Sequence, residues 1–109
     1  MKKIIKFFNR EQNLLIHIIA TIIVTIFGII FKISLINWVL IYVMVALVIT
    51  TELINSALEL TVDLYTSKFN PKAKIVKDVS AAAVVTAAFA SIIVGLYVFI
   101  PYIIKFIKG

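Results

Sequence analysis

Three long apolar blocks make up most of this chain, and only short polar breaks separate them. The first runs from Asn13 to about Phe31 and closes at Lys32, close to the roughly 20 apolar residues a helix needs to cross a hydrocarbon core. A brief turn through Ser34 to Asn37 then precedes Trp38, from which a second helix is predicted to about Thr66. The segment Ser67-Lys68-Phe69-Asn70-Pro71-Lys72 is the clearest break, because Pro71 pushes Asn70 out of the helical region and can itself open the next helix. The third block contains Ser80 to Ala83, Ala87-Ala88, Ala90-Ser91 and Gly95, small residues that let helices approach closely in lipid. The pattern predicts an all-α integral membrane protein with three transmembrane helices, at about 13–32, 38–66 and 78–104, in one membrane-embedded domain spanning 1–109. A short N-terminal interfacial segment is expected before them, with Ile4, Ile5, Phe7 and Phe8 toward lipid and Lys2, Lys3, Lys6 and Arg10 toward water.

The second block breaks its own pattern. Trp38 to Ile49 is uninterrupted apolar sequence, yet Glu52, Asn55, Glu59 and Asp63 follow on the same predicted helix. Their spacing of i, i+3, i+7 and i+11 places all four within an arc of about 80°. A charged side chain at membrane depth costs about 2.5 to 3.5 kcal/mol on insertion scales and normally faces a bundle interior or a wet cavity. If the first part of this helix spans the core, Asp63 reaches the interface, Glu59 its boundary, and Glu52 lies about 10 Å deeper.

Composition agrees with a membrane location: 63% of the 109 residues are hydrophobic and the mean hydropathy is +1.17. The absence of cysteine excludes disulfide and thiolate chemistry. Met1 to Lys6 resembles the start of a signal peptide, but Arg10 to Asn13 interrupts before the apolar run, and the N-terminus is expected to be retained. A net charge of +6 raises the question of nucleic acid, which the placement of the cations argues against. They flank the apolar blocks, and eight of the eleven fall in the N-terminal segment and the second link, on one side of a three-span protein. The positive-inside rule places that side in the cytoplasm, and anionic lipid headgroups account for the excess.

The chain has five acids, Glu11, Glu52, Glu59, Asp63 and Asp78, each within or beside the inferred cytoplasmic half of a span. Oxygen-rich clusters of this kind suit Mg²⁺, which takes one or two carboxylates and completes its shell with phosphate oxygens and water. Lys77 and Lys74 supply cations for a polyphosphate, and Glu52 is placed for a hydroxyl on a molecule embedded in lipid. No nucleotide-binding glycine loop is present, so spacing alone leaves blander readings open. Glu52 is also read as a structural hydrogen-bonding group, Asp63 as a solvated helix-end residue, and Asp78 as a cap or the partner of Lys74. His17 reads as an interior histidine rather than a ligand, and Phe7, Phe8, Trp38, Tyr97, Phe99 and Tyr102 as interface anchors.

Taken as strings, Glu52-Leu53-Ile54-Asn55-Ser56-Ala57-Leu58-Glu59 with Val62-Asp63, and then Lys77-Asp78, resemble the prokaryotic diacylglycerol kinase family, which includes undecaprenol kinases. Glu11-Gln12-Asn13 with Ile16-His17 is similar to that family's entry to the first span, and the resemblance extends from Glu11 to Leu96. Leu15 and Val76 depart from the family pattern, which has arginine and alanine there.

The resemblance implies a homotrimeric helical bundle in the bacterial inner membrane, with active sites shared between neighbouring subunits at the cytoplasmic face. It implies transfer of the γ-phosphate of MgATP to the hydroxyl of a lipid alcohol, undecaprenol or diacylglycerol. On matching positions Glu11 and Glu59 would hold the metal, Glu52 would be the catalytic base, and Asn55 would fix the transferring phosphate. Lys77 would neutralise the ATP phosphates, with Asp63 and Asp78 in support. The alternative is a non-catalytic membrane protein, a small transporter or assembly subunit whose intramembrane acids bind protons or cations.

Overall fold

The computed structural model describes residues 12–109, which form three helices: α1 (Gln12–Phe31), α2 (Leu35–Tyr65) and α3 (Pro71–Lys108). The N-terminal interfacial segment and Glu11 lie outside the described residues. All three helices are long and apolar enough to cross a membrane, and the chain is a multi-pass membrane protein. At 38 residues, α3 accounts for the 59 Å long axis of the molecule.

The junctions follow from local chemistry. Beyond α1, Lys32 takes a left-handed conformation with φ of 54°. Its N–H donates to the Ile29 carbonyl and that of Ile33 to the Gly28 carbonyl, each at 3.2 Å, which is the paired closure of a Schellman motif. Ser34, extended at φ −67° and ψ 161°, caps α2 by accepting from the Asn37 N–H. That cap draws Leu35 to Asn37 into the helix, so α2 starts before Trp38 and the expected turn is shorter than the sequence implied. Asn70 is extended, as a residue before proline must be, and its side-chain oxygen accepts from Lys72 N and Ala73 N at 2.9 and 3.3 Å. Pro71 opens α3, while Pro101 is carried inside it.

Helix α3 packs along α2, and α1 leans on α2. At one end the core is apolar: Ile33, Ile41 and Val98 are buried, with Phe31, Trp38, Phe99 and Tyr102 against them. At the other end the buried residues are mostly polar, namely Glu52, Asn55, Ser56 and Ser80, with Leu14 among them. Large aliphatic side chains cover the outside, the arrangement a lipid solvent selects.

One expectation about packing changes. Among the small residues of α3, Ser80 and Ala87 are buried, but Gly95 faces open space. The tight glycine contact is instead at Gly28, where an added Cβ would stand 2.5 Å from the Trp38 ring. Trp38 is therefore packed against α1 and stacked on Tyr42 with centroids 5.8 Å apart. Tyr102 likewise turns inward, its hydroxyl accepting from Ser34 N at 3.1 Å and Asn37 Nδ2 at 3.0 Å.

Candidate active site on the second and third helices

The polar stripe of α2 forms a gradient of burial. Glu52 is 1% exposed, Asn55 is buried, Glu59 is half-buried, and the Asp63 side chain is 41% exposed. The stripe turns toward the bundle rather than outward into lipid, which resolves the cost of placing acids on a membrane helix.

Neighbouring helices meet this stripe at three levels. Deepest, His17 of α1 brings Nε2 to 3.7 Å from Glu52 Oε2. In the middle, Ser80 Oγ donates to Asn55 Oδ1 at 2.6 Å, and Asn55 Nδ2 donates to Glu59 Oε1 at 3.3 Å. At the mouth, Lys77 Nζ and Asp63 Oδ1 pair at 2.7 Å across α2 and α3. One turn of α3 thus carries both the Lys77 cation and the hydroxyl that reaches Asn55. Beside this pair is a cleft of about 350 Å³ whose lining includes Asp63, Lys68, Lys74, Lys77 and Asp78. The same helix pair also carries an apolar groove of about 480 Å³, whose lining includes Ile54, Leu58, Ile75, Val79 and Ala83 together with Ser80.

The structure therefore gathers Glu52, Asn55, Glu59, Asp63 and Lys77 along one path. Asp78 reaches only the cleft, where it pairs with Lys74 at 2.7 Å, both side chains nearly two-thirds exposed. Glu11 lies outside the described residues. Sequence reasoning missed Ser80, read there only as a small residue for close packing, although its position one turn beyond Lys77 was the available signal. It also missed Ser56, whose hydroxyl is buried with no hydrogen-bond partner among the described residues.

Among the described residues no three acidic, histidine or cysteine side chains converge on one point. The metal-ligating group near the middle of the stripe is the Glu59 carboxylate, since Asn55 turns its NH₂ toward it and its oxygen toward Ser80. That chemistry fits Mg²⁺, a hard ion that commonly binds through one or two carboxylates while phosphate oxygens and water fill the remaining positions.

The cleft with its three lysines lies at one end of a stripe that runs past the half-buried Glu59 to the buried Glu52 of a multi-pass membrane protein. The model of the family described as "Prokaryotic diacylglycerol kinase" matches residues 1–99, and the chain belongs to that family. It is a lipid kinase. Undecaprenol kinase of Bacillus subtilis (strain 168) is 41% identical over 91 residues, covering 84% of this chain and 74% of that protein. Diacylglycerol kinase of Synechocystis sp. is 46% identical over 56 residues, covering 50% of this chain and 32% of that protein. No solved structure matches the chain.

Proposed function

We propose that this lipid kinase transfers the γ-phosphate of MgATP to the hydroxyl of a polyprenol-type lipid alcohol, undecaprenol before diacylglycerol, at the cytoplasmic face of the bacterial inner membrane. The 1% exposure of Glu52, at the inner end of a stripe whose outer end carries Lys77, is the observation that carries the reading. The undecaprenol preference rests on the name of the relative aligned over most of this chain.

In this mechanism the polyphosphate enters the basic cleft, where Lys77 neutralises its charge and Lys74 and Lys68 add to the field. Asp63 holds Lys77 toward the cleft, and Asp78 does the same for Lys74. Glu59, together with Glu11, would hold Mg²⁺, which when bound neutralises the oxygens of the transferring phosphate. Asn55 directs its NH₂ group to the same place. The alcohol arrives from the membrane with its chain in lipid, and Glu52 accepts the hydroxyl proton as the oxygen attacks the γ-phosphorus. The bond from that phosphorus to the β–γ bridging oxygen breaks, and ADP leaves through the cleft. Three copies assemble in this reading, because three helices enclose too little volume to shield a site for both substrates, and residues 1–109 act as one domain.

The test is phosphorylation by the purified protein in detergent micelles holding MgATP and either undecaprenol or diacylglycerol. Glu52→Gln is expected to abolish product while leaving the helices and their detergent stability intact. Absence of product from both alcohols with the parent protein overturns the reading.

A further inference from the structure

The hydroxyl of Ser80 occupies an unusual position. It is 2.6 Å from Asn55 Oδ1 and 3.0 Å from the carbonyl of Lys77, so two acceptors face a group with a single proton. Asn55 has its own constraint, because its amide nitrogen faces a Glu59 carboxylate oxygen at 3.3 Å. Were the carboxamide turned over, its oxygen would meet that carboxylate, acceptor against acceptor, in a buried setting. The negative charge of Glu59 therefore selects the orientation with NH₂ toward itself, and this leaves Oδ1 turned to α3. Ser80 then donates to Asn55, because among the described residues its hydroxyl is the one donor to that oxygen. Both residues are 7% exposed, which leaves little room for water to take over the bond.

We propose that Ser80 is a positioning residue for phosphoryl transfer: its hydroxyl on α3 locks the Asn55 carboxamide of α2 with the NH₂ group toward Glu59 and the phosphate site. The kinetic consequence rests on the proposed function, whereas the orientation itself does not. The same turn of α3 carries Lys77, so the lock also ties the position of that cation to the position of the amide. Any sliding of α3 against α2 that moved Lys77 out of the cleft would break the Ser80 bond and release the amide.

The experiment compares Ser80→Ala, which removes the hydroxyl, with Ser80→Thr, which keeps it and adds a methyl toward the apolar groove that Ser80 lines. The first readout is independent of activity. In protein labelled with ¹⁵N-asparagine in micelles, the Asn55 side-chain NH₂ signal is assigned by its loss in Asn55→Asp. Its exchange with solvent is expected to speed up about tenfold in Ser80→Ala and to stay near the parent in Ser80→Thr. The second readout is kinetic: Ser80→Ala is expected to lower kcat about tenfold and raise the Mg²⁺ concentration for half-maximal rate, with KM for the lipid alcohol within twofold. Ser80→Thr is expected to restore kcat. The proposal is overturned if the Asn55 signal in Ser80→Ala exchanges as in the parent, or if Ser80→Thr is as defective as Ser80→Ala in both readouts. A parent protein that transfers no phosphate, with the exchange difference intact, overturns the proposed function and leaves the amide lock standing.

Discussion

His17 Nε2 lies 3.7 Å from Glu52 Oε2, so the first helix contributes an imidazole to the most deeply buried acid of the second. The His17 side chain is 24% exposed and that of Glu52 only 2%, which makes the imidazole the wetter member of the pair. A neighbour with two exchangeable nitrogen positions both orients a carboxylate and offers a route for a proton leaving it. His17→Leu is expected to slow lipid phosphorylation about tenfold, the scale of one lost interaction to a charged group, while His17→Gln keeps a donor and most of the rate. Initial rates under saturating MgATP decide it, and equal rates for Leu and the parent would show that the pair plays no part in transfer.

The helices, the break at Pro71 and the polar stripe were all legible in the sequence, because each is written in local periodicity or in the backbone limits of one residue. The partner of the stripe was not. In the run Ser80-Ala81-Ala82-Ala83 the spacing of Ser80 from Lys77 is the one signal, and which small residue faces Asn55 still depends on the rotation of α3 against α2. The same limit hid what the aromatics touch. Tyr102 looks like an interface residue from its position near a span end, and only the structure shows that its hydroxyl binds Ser34 and Asn37, more than 60 residues earlier in the chain. The start of α2 was misjudged for a local reason: Ser34 and Asn37 are both turn formers, and only the cap geometry shows that Ser34 starts the helix.

Gly28 is expected to tolerate no side chain. An added Cβ would stand 2.5 Å from Trp38 Cη2, and the indole is held by its stack on Tyr42, whose hydroxyl lies 2.6 Å from Thr25 Oγ1. Gly28→Ala is expected to cost about 1–3 kcal/mol, the range for overpacking. Trp38→Phe shortens the obstructing ring, so the double variant is expected to lose less than the sum of the two singles. Unfolding in mixed micelles with increasing denaturing detergent measures all three, and strict additivity would refute the contact.

Lys32 gives the opposite sign. A side chain at φ 54° is held in the left-handed region that glycine enters without steric cost. Lys32→Gly is expected to stabilise the α1–α2 hairpin by up to about 1 kcal/mol. Lys32→Ala retains the Cβ and should bring no gain, which separates the backbone effect from loss of the charge. A higher unfolding midpoint for Ala than for Gly would contradict the assignment.

The two lysines of the cleft separate structural from functional pairing. Lys74 and Asp78 are an i, i+4 pair with both side chains nearly two-thirds exposed, an arrangement worth only about 0.3–0.5 kcal/mol. Lys77 is 39% exposed and reaches from α3 to Asp63 of α2, at the end of the path that leads inward through Ser80 and Asn55. A phosphate contact from a cation so placed is worth about 1.5–3 kcal/mol, or roughly 10- to 100-fold in rate. Lys77→Gln is therefore expected to lower kcat/KM for ATP by that factor, and Lys74→Gln by less than about threefold. Raising the salt concentration should narrow the difference between Lys74→Gln and the parent, because an exposed charge acts through screened solvent, while the Lys77→Gln defect persists. If Lys74→Gln proves the more damaging change, the polyphosphate lies further out along the cleft, and the path from Lys77 to Glu52 is not the one the phosphate takes.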